Sequence, residues 1–574
     1  MDILLDNMET RAEAEAALGG AAFWRAELEL ARNDRKEWLD KTRQVIDRYR
    51  DEREGSARAE RRLNVLWSNT ETLKSALFAR PGKPDVRRRW SANADDEMFR
   101  DMATVLERAL AYGQDRHDPF LPVSSAVLDM LLSGRGVVRV GYDVVLGEET
   151  DAAGVVREVL VDQEVREEYV HYADFLHAPA RKWDEVRWVA FRHLMTRDAL
   201  AARFGEAGFE VPLGHSIAQE SSPRKGEVPE GFRRAELWEI WDADSRMRLW
   251  FCEGMDRLLA REEDPLGLDG FFPCPEPLCG PVRTNDTLMP VPEFCIYQDQ
   301  ADELDRLTMR IHRLVDALRR RGVYDAQFKN ELASLALAED NRFIPVDAYA
   351  ALREAGGLSG VFASEDITPI AQVIASLYQQ RQALIQQIYE VTGISDIVRG
   401  ATDPRETATA QRIKGQYGSL RLRMRQDAVI RFVRDLVRLK AEIVAEHFEP
   451  GILTAMTGLP VSADMLLALR RDSLRNYRID VETDSTVFED TESEKAQRMQ
   501  FVQAITSFGE KWIPAMQRMP EIAPLAIALL GFSVRAFKAG SGLEDTITRV
   551  MNDLADKARA KQRGLAVPAG GKGS

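Results

Sequence analysis

The N-terminal part of the chain carries apolar residues at helical spacing. Residues 23–53 and 57–78 are rich in Leu, Ala, Glu and Arg, with apolar positions three and four apart. Pro81 and Pro84 follow, and proline ends a helix because it lacks a backbone donor. We therefore predict helices over both segments, and a further helix from about residue 95.

The apolar period changes to strand-like alternation after residue 135. Val138, Val140 and Tyr142 alternate, and residues 155–172 have the pattern of a pairing strand. A mixed β region is predicted to continue to about residue 253. The glycines of GRGVVRVG (134–141) imitate a dinucleotide motif, but that motif needs a strand before it and a helix after it. Here the order is reversed, which favours a helix-to-strand turn.

Two helical segments in the second half of the chain bracket a small insert. Residues 299–321 carry an apolar stripe that includes Leu304 and Ile311, with acidic residues at their start. In the second segment Thr368 and Pro369 are typical of a helix start and Gly393 of its end, while glutamines occupy its polar side. We predict two long helices separated by a mixed segment over 323–367.

Length and composition are those of an ordinary soluble protein with several cores. The chain has 574 residues, 45% apolar and 30% charged, for which we expect about three or four structural units. The longest apolar run, 523–532, is short of the roughly 18 to 20 residues that span a bilayer, and the acidic start lacks a signal-peptide pattern. Neither secretion nor membrane insertion is expected, and four cysteines suit a reducing compartment.

A formal charge of −15 argues against a general nucleic-acid coat, which would need clustered Lys and Arg. One segment departs from this balance. Residues 405–440 contain ten basic and three acidic residues, a local charge of +7. They follow a loop, 395–408, that is rich in small, polar and charged residues, and such loops often carry function.

The apolar face of this basic segment changes direction near Gln426. On a helical wheel Leu420 and Met424 share one apolar face with Ile413 and Tyr417. In the second half of the segment the apolar face, which includes Phe432, points in a different direction. A straight helix that packs against one neighbouring element would keep its apolar face in one direction. We therefore expect the helix to kink or to change neighbours, with Gly415 and Gly418 as points for bending or close packing.

The candidate chemical motifs are weak. Cys274 and Cys279, with cysteines on either side, could hold zinc, but isolated buried thiols fit their spacing better. The histidines 171, 177 and 193 lack a ligand pattern, and no P-loop or nucleophile elbow occurs. The aromatic clusters could stack nucleobases, but their spacing favours core packing. Distant carboxylates could still converge on a metal, so a hidden nuclease site stays open.

Five segments stand in a distinctive order along nearly the whole chain. They are NVLWSNTETLKSALFARPGKPDVRRRW (64–90), LLSGRGVVRVGYD (131–143), HYADFLHAPARKWDEVRWVAFRHLMTRDALAARFG (171–205), YEVTGISDIVRGATDPRETATAQRIKGQYGSLRL (389–422) and IDVETDSTVFEDTESEKAQRMQF (479–501). In this order they resemble the portal proteins of tailed bacteriophages, of the podophage and siphophage type.

The resemblance implies an α+β, mainly helical portal fold that assembles as a ring. Its parts would be a wing, a stem of two helices, a small α/β clip inserted between them and a helical crown. Mapped onto this sequence they are a wing at 1–297, stem helices at 298–322 and 368–394, a clip at 323–367, a channel (tunnel) loop at 395–409, a long kinked helix of wing or crown at 410–448, a crown at 449–560 and a disordered tail at 561–574.

The resemblance also implies a function without catalysis, cofactor or metal. The subunits, typically twelve, would form a channel at one capsid vertex for packaging and ejection of double-stranded DNA. The implied partners are the terminase large subunit, the major capsid or scaffold protein and a tail adaptor, with no membrane. The implied location is the virion, reached from the host cytoplasm during assembly.

Two sets of candidate site residues follow from this resemblance and from the basic segment. The channel-facing, DNA-facing set is Gln379, Gln386, Ser395, Asp396, Arg399, Thr402, Asp403, Arg405, Glu406 and Thr407. The inter-subunit set on the basic helix is Arg412, Lys414, Arg421, Arg425, Arg431, Arg434 and Arg438. We expect some of these arginines to pair with acidic residues of a neighbouring copy and only a subset to meet DNA. The alternatives are a DNA-processing enzyme, such as a packaging nuclease, and a scaffold or adaptor without a pore.

Overall fold

The computed structural model describes residues 20–52, 62–88, 96–150, 156–214, 233–318, 322–336, 344–364 without 348, 366–394, 408–471, 477–481 and 499–512 without 504 and 509. The fold is mixed α/β and mainly helical, with small sheets. The chain divides into two compact units, Met1–Val487 and Phe488–Ser574. In the second unit the described residues lie on helical turns, where Phe508 stacks on Trp512 with ring centroids 5.7 Å apart.

The first unit contains the elements named below, in chain order. The helices are α1 (Ala21–Asp34), α2 (Lys36–Tyr49), α3 (Val65–Leu77), α4 (Asp96–Arg116), α5 (Phe120–Leu132), α6 (Arg197–Phe204), α7 (Glu206–Glu210), α8 (Phe294–Ala317), α9 (Lys329–Ala336), α10 (Tyr349–Glu354), α11 (Leu358–Val361), α12 (Thr368–Thr392), α13 (Ala408–His447), α14 (Pro450–Thr457) and α15 (Ala463–Arg471). The strands are β1 (Pro84–Arg88), β2 (Arg135–Thr150), β3 (Val156–Val170), β4 (Phe175–His177), β5 (Trp188–Met195), β6 (Ala235–Asp242), β7 (Met247–Phe251), β8 (Ala260–Glu263), β9 (Leu278–Cys279), β10 (Gly322–Tyr324), β11 (Phe362–Ser364) and β12 (Tyr477–Val481).

The helix-to-strand turn at 133–135 is confirmed and leads into the largest core. Helix α5 is apolar on nearly every side and buries Val127 and Met130 among α4, α13 and β2. Gly134 has φ +87°, which a residue with a side chain rarely adopts. A Cβ on Gly136 would lie 1.9 Å from the Ala126 carbonyl oxygen, so only glycine lets the strand approach α5 this closely.

Two antiparallel β structures follow, as the alternating pattern predicts. Strands β2 and β3 form a long two-stranded ribbon with a register shift between Val145 and Leu146, and β9 pairs with the start of β2. Strands β4 to β8 form a five-stranded antiparallel sheet in sequence order, and α1 packs on it through Trp24. Most of the aromatic clusters are core, as predicted, whereas Trp67 is exposed.

Helices α8 and α12 pack against each other around a small insert. Strands β10 and β11 pair antiparallel at the base of the insert, so the two helices run in opposite directions. Leu304 of α8 shares a buried cluster with Ile388 of α12, and Arg381 Nε donates to Thr308 Oγ1 at 3.3 Å. The helix–insert–helix arrangement of the described residues therefore agrees with the pattern of the sequence.

The bounds of these two helices differ slightly from the prediction. Helix α8 begins five residues before residue 299, so the acidic residues of its first half lie beyond the first turn; Asp305 is buried and pairs with Arg48. Helix α12 begins at Thr368 with Ile367 in the N-cap position, one residue earlier than expected. Its end at Gly393 is confirmed, since Gly393 is left-handed with φ +71°.

One expectation near the start of the chain is corrected, and the surroundings of residue 449 are described. The predicted helix over residues 23–53 is divided at Arg35, whose buried guanidinium donates to the carbonyls of Ala173 and Phe175. The expected wing-to-crown boundary at 449 falls within one core, because β1 pairs with β12 and α14 packs on α4. The compact units divide after Val487.

Candidate functional site

The basic segment forms one helix, α13, that runs through Gln426 without interruption. The expected kink is therefore not a break in the helix; instead its surroundings change. In the second half Val429, Phe432 and their neighbours are buried in the largest core. In the first half Leu420 and Met424 are 55% and 72% exposed. The change in apolar direction thus separates a buried half from the stretch before it, in which Leu420 and Met424 are exposed.

A cleft of about 570 Å³ opens beside this exposed half, and we call it the basic cleft. It is bounded by α13, the first turn of α8, the last turn of α12 and the segment 276–283 around β9. Its apolar lining includes Ile296, Val391 and Met424, all of them exposed. The cleft therefore lies where both long helices meet the basic helix, directly before residue 395.

Arg425 anchors the basic helix to the start of α8. Its two terminal nitrogens donate to the Glu293 carboxylate at 3.0 and 2.6 Å, and the side chains are only 11% and 14% exposed. Glu293 occupies the N-cap position of α8, where the helix dipole favours a negative charge. Arg425 was expected to face a neighbouring subunit, but in the structure its charge is satisfied within its own chain.

Arg421 lies at the opposite wall of the basic cleft, against the end of α12. Its Nη1 donates to the Val391 carbonyl oxygen at 3.4 Å, and a Cβ on Gly393 would lie 2.8 Å from Arg421 Cδ. A cation near the last carbonyls of a helix is favoured by the helix dipole. The guanidinium remains exposed, so it is available for a further anionic partner.

The remaining basic residues of the described half are partly neutralised by near neighbours. Arg434 pairs with Asp435 at 3.0 Å, and Arg438 with Glu442 at 3.2 Å. Arg431 donates to the Asp427 carbonyl oxygen of its own helix and stays exposed. Several of the described basic residues are thus held in intramolecular contacts, and the exposed Arg421 and Arg431 line the basic cleft.

A pair that the sequence did not indicate fixes the buried half of α13. Lys440 Nζ lies 3.0 Å from both carboxylate oxygens of Glu167 on β3, and these side chains are 2% and 3% exposed. Gln426 donates to the Ala76 carbonyl oxygen at 2.9 Å. Both contacts join residues hundreds of positions apart, for which a single sequence carries no signal.

The channel-facing set lies mostly outside the described residues. This applies to Ser395, Asp396, Arg399, Thr402, Asp403, Arg405, Glu406 and Thr407. Arg412 and Lys414 lie on α13, but their side chains are also outside the description. Gln379 and Gln386 lie exposed on the face of α12 that turns away from α8.

A buried charge network in the five-stranded sheet includes one of the histidines. Glu239 is 4% exposed, its Oε2 lies 2.8 Å from His193 Nε2, and it accepts from Arg139 at 2.6 Å. Burial raises the pKa of Glu239, but His193 and Arg139 outweigh it and lower the pKa to about 2. The group is enclosed between β2 and the sheet, which identifies it as part of the core.

The described residues offer no metal centre. Within those ranges no group of three or more His, Cys, Asp or Glu side chains is arranged to hold an ion. All four cysteines are free thiols, and burial raises the pKa of each of them. Cys274 is buried and Cys279 is partly buried.

The sequence matches no protein-family model, and no curated protein matches it. Among the helices whose residues the structure describes, none has both the length and the apolar character to cross a bilayer.

Proposed function

We propose that the protein is a portal subunit that forms a ring-shaped channel for double-stranded DNA at one capsid vertex. The observation that carries the proposal is the antiparallel pair α8 and α12 with its α/β insert at 322–364. These elements correspond to the stem and clip that the resemblance implies. The same pair ends at the basic cleft, next to the segment proposed as the channel loop.

The exposed apolar residues of the two long helices support assembly into a ring. Val315, Val373, Tyr378 and Val391 are each more than two-fifths exposed. Exposed apolar side chains mark surfaces for other proteins when they are gathered into a patch, as they would be where adjacent helix pairs meet. In a ring, adjacent helix pairs would cover these side chains, and burial of this kind is typical of obligate interfaces.

The charge distribution supports a channel through which DNA can slide rather than a surface that binds DNA tightly. Each Lys or Arg that contacts a phosphate adds salt-sensitive affinity, and a uniformly basic wall would brake a sliding duplex. The chain is acidic overall, and several arginines of α13 are held in pairs within the subunit. Gln379 and Gln386 are exposed and uncharged, as a sliding surface requires.

The proposal includes the partners and locations of a portal. The ring, of twelve copies, would receive the terminase large subunit, contact the major capsid or scaffold protein and bind a tail adaptor. It would assemble in the host cytoplasm and remain in the virion. The chain would carry no enzymatic activity, and the motor's ATPase and nuclease would be separate chains.

Two measurements on the purified protein test this function. Negative-stain images should contain rings with a central hole, because the subunit has to enclose a duplex. Incubation with double-stranded DNA and Mg²⁺ or Mn²⁺ should leave the DNA intact. Compact particles without a hole would contradict the channel, and metal-dependent cleavage would favour a packaging nuclease.

A further inference from the structure

The distal half of the ribbon β2–β3 stands apart from the cores. We call residues 143–148 and 156–161 the ribbon tip. Val144, Leu146, Val156 and Val161 are exposed there, and within the described residues β9 reaches only the start of β2, so the tip has no third strand. An isolated two-stranded ribbon is marginally stable in water, and an uncovered apolar strand pair is a template for association. The ribbon tip therefore has the character of a docking element.

The ribbon tip is also acidic. Glu148 and Glu158 are exposed and lie directly opposite each other in the register. Like charges in directly opposed positions destabilise a strand pair. Within the described residues neither carboxylate has a cationic partner. A basic surface brought against the tip would remove this repulsion.

The basic cleft has the complementary chemistry. Its lining combines exposed Ile296, Val391 and Met424 with the exposed arginines Arg421 and Arg431. The three carboxylates of the lining, Glu276, Glu293 and Asp435, are each paired with an arginine of the same chain. Phosphates of a nucleic acid would satisfy the two arginines but leave the apolar side chains uncovered. An acidic, apolar ribbon satisfies both kinds of group.

The tip cannot reach the cleft of its own chain. Strand β2 starts beside the cleft, because Arg135 is the strand-register partner of Cys279, which lines the cleft. From there the strand runs away from the cleft. Leu146 lies eleven residues further along an extended strand, a distance of about 36 Å. Tyr142 stacks on His447 at the far end of α13. The start of the tip therefore lies near the C-terminal end of α13, whereas the cleft lies along residues 421–435 in the middle of that helix.

From this arrangement we propose that the ribbon tip of one copy docks into the basic cleft of the next copy. Such a contact joins two different surfaces, so it is heterologous and repeats around a ring when the rotation closes. The inference names the contact that would build the proposed ring and rests on that function. It assigns Arg421 and Arg431 to the neighbouring subunit rather than to DNA.

Cysteine cross-linking tests the contact in the full-length protein. The variants V144C and M424C are mixed and oxidised, and we expect a disulfide-linked dimer that neither variant forms alone. Because the native Cys279 also lines the basic cleft, both variants carry C279A as well. Burial raises the pKa of the other three native thiols, which makes them poor competitors. As a control, L121C places the thiol on a leucine at the start of α5 that is more exposed than Val144, at 72% against 45%, and with M424C it should give no dimer. Equal cross-linking by the control would overturn the proposal.

A charge exchange provides a second, independent readout. The double variant E148R/E158R should raise the concentration needed for assembly roughly tenfold, because it sets cations against cations. Mixing it with R431E should restore assembly. Rings that form regardless of these changes would contradict the contact and leave the portal function standing. Cross-linked particles without a central hole would support the contact and contradict the portal function.

Discussion

The pair Arg425–Glu293 gives the sharpest prediction about the basic helix. The substitution R425A removes both hydrogen bonds to a carboxylate that is only 14% exposed. Breaking a fully buried pair costs about 3–5 kcal/mol, whereas an exposed pair is worth less than about 1 kcal/mol. Because these side chains are nearly but not fully buried, we expect R425A to lower the free energy of unfolding by about 2–4 kcal/mol.

Arg423 is the matched control, since it lies two positions earlier on the same helix. It is exposed and forms no ion pair with any residue that the structure describes. R423A should change the free energy of unfolding by less than about 0.5 kcal/mol. Urea unfolding followed by tryptophan fluorescence measures both variants against the wild type under one set of conditions.

A double-mutant cycle separates the pair from general packing effects. E293A alone should also destabilise the protein, and R425A/E293A should cost clearly less than the two single changes added together. The reasoning would be refuted if R425A and R423A had equal effects. It would also be refuted if the double variant were simply additive, since Arg425 would then act on another partner.

Three further outcomes follow from other contacts. K440M should destabilise the protein by about 3–5 kcal/mol by leaving Glu167 buried and unpaired, and K440M/E167L should recover most of that loss in the same unfolding assay. Burial, opposed by the hydrogen bond from Tyr169, raises the pKa of Asp129 to about 7. The protonated carboxyl therefore contributes fully to the stability of the fold below about pH 4, and this contribution is lost as the pH rises through 7. D129N should therefore be less sensitive than wild type to a change from pH 5 to pH 8 in thermal unfolding. G393A should lower the melting temperature, because φ is +71° and its Cβ would meet Arg421.

Much of the local structure could be predicted because it depends on near neighbours in the sequence. Gly393 ends α12 as expected, since glycine adopts the left-handed conformation at low cost. The alternation of Val138 and Val140 predicted a strand, and the glycines before them predicted a turn rather than a nucleotide site. The two long helices and their insert followed from apolar periodicity in the same way.

The surroundings and partners of the basic helix could be predicted only in part. The shift of its apolar face indicated a change of surroundings, which the buried Phe432 and the exposed Met424 now explain without a break. The partner of Arg425 could not be predicted, because Glu293 lies 132 positions away. The pairing of β1 with β12 likewise joins distant segments, so it could not be predicted from the sequence.

Negative-stain microscopy of the purified, full-length protein tests the central claim most directly. The portal account predicts ring-shaped particles of uniform size with a central hole wide enough for a DNA duplex. Monomers, or compact particles without a hole, at concentrations where the ring should form would contradict it.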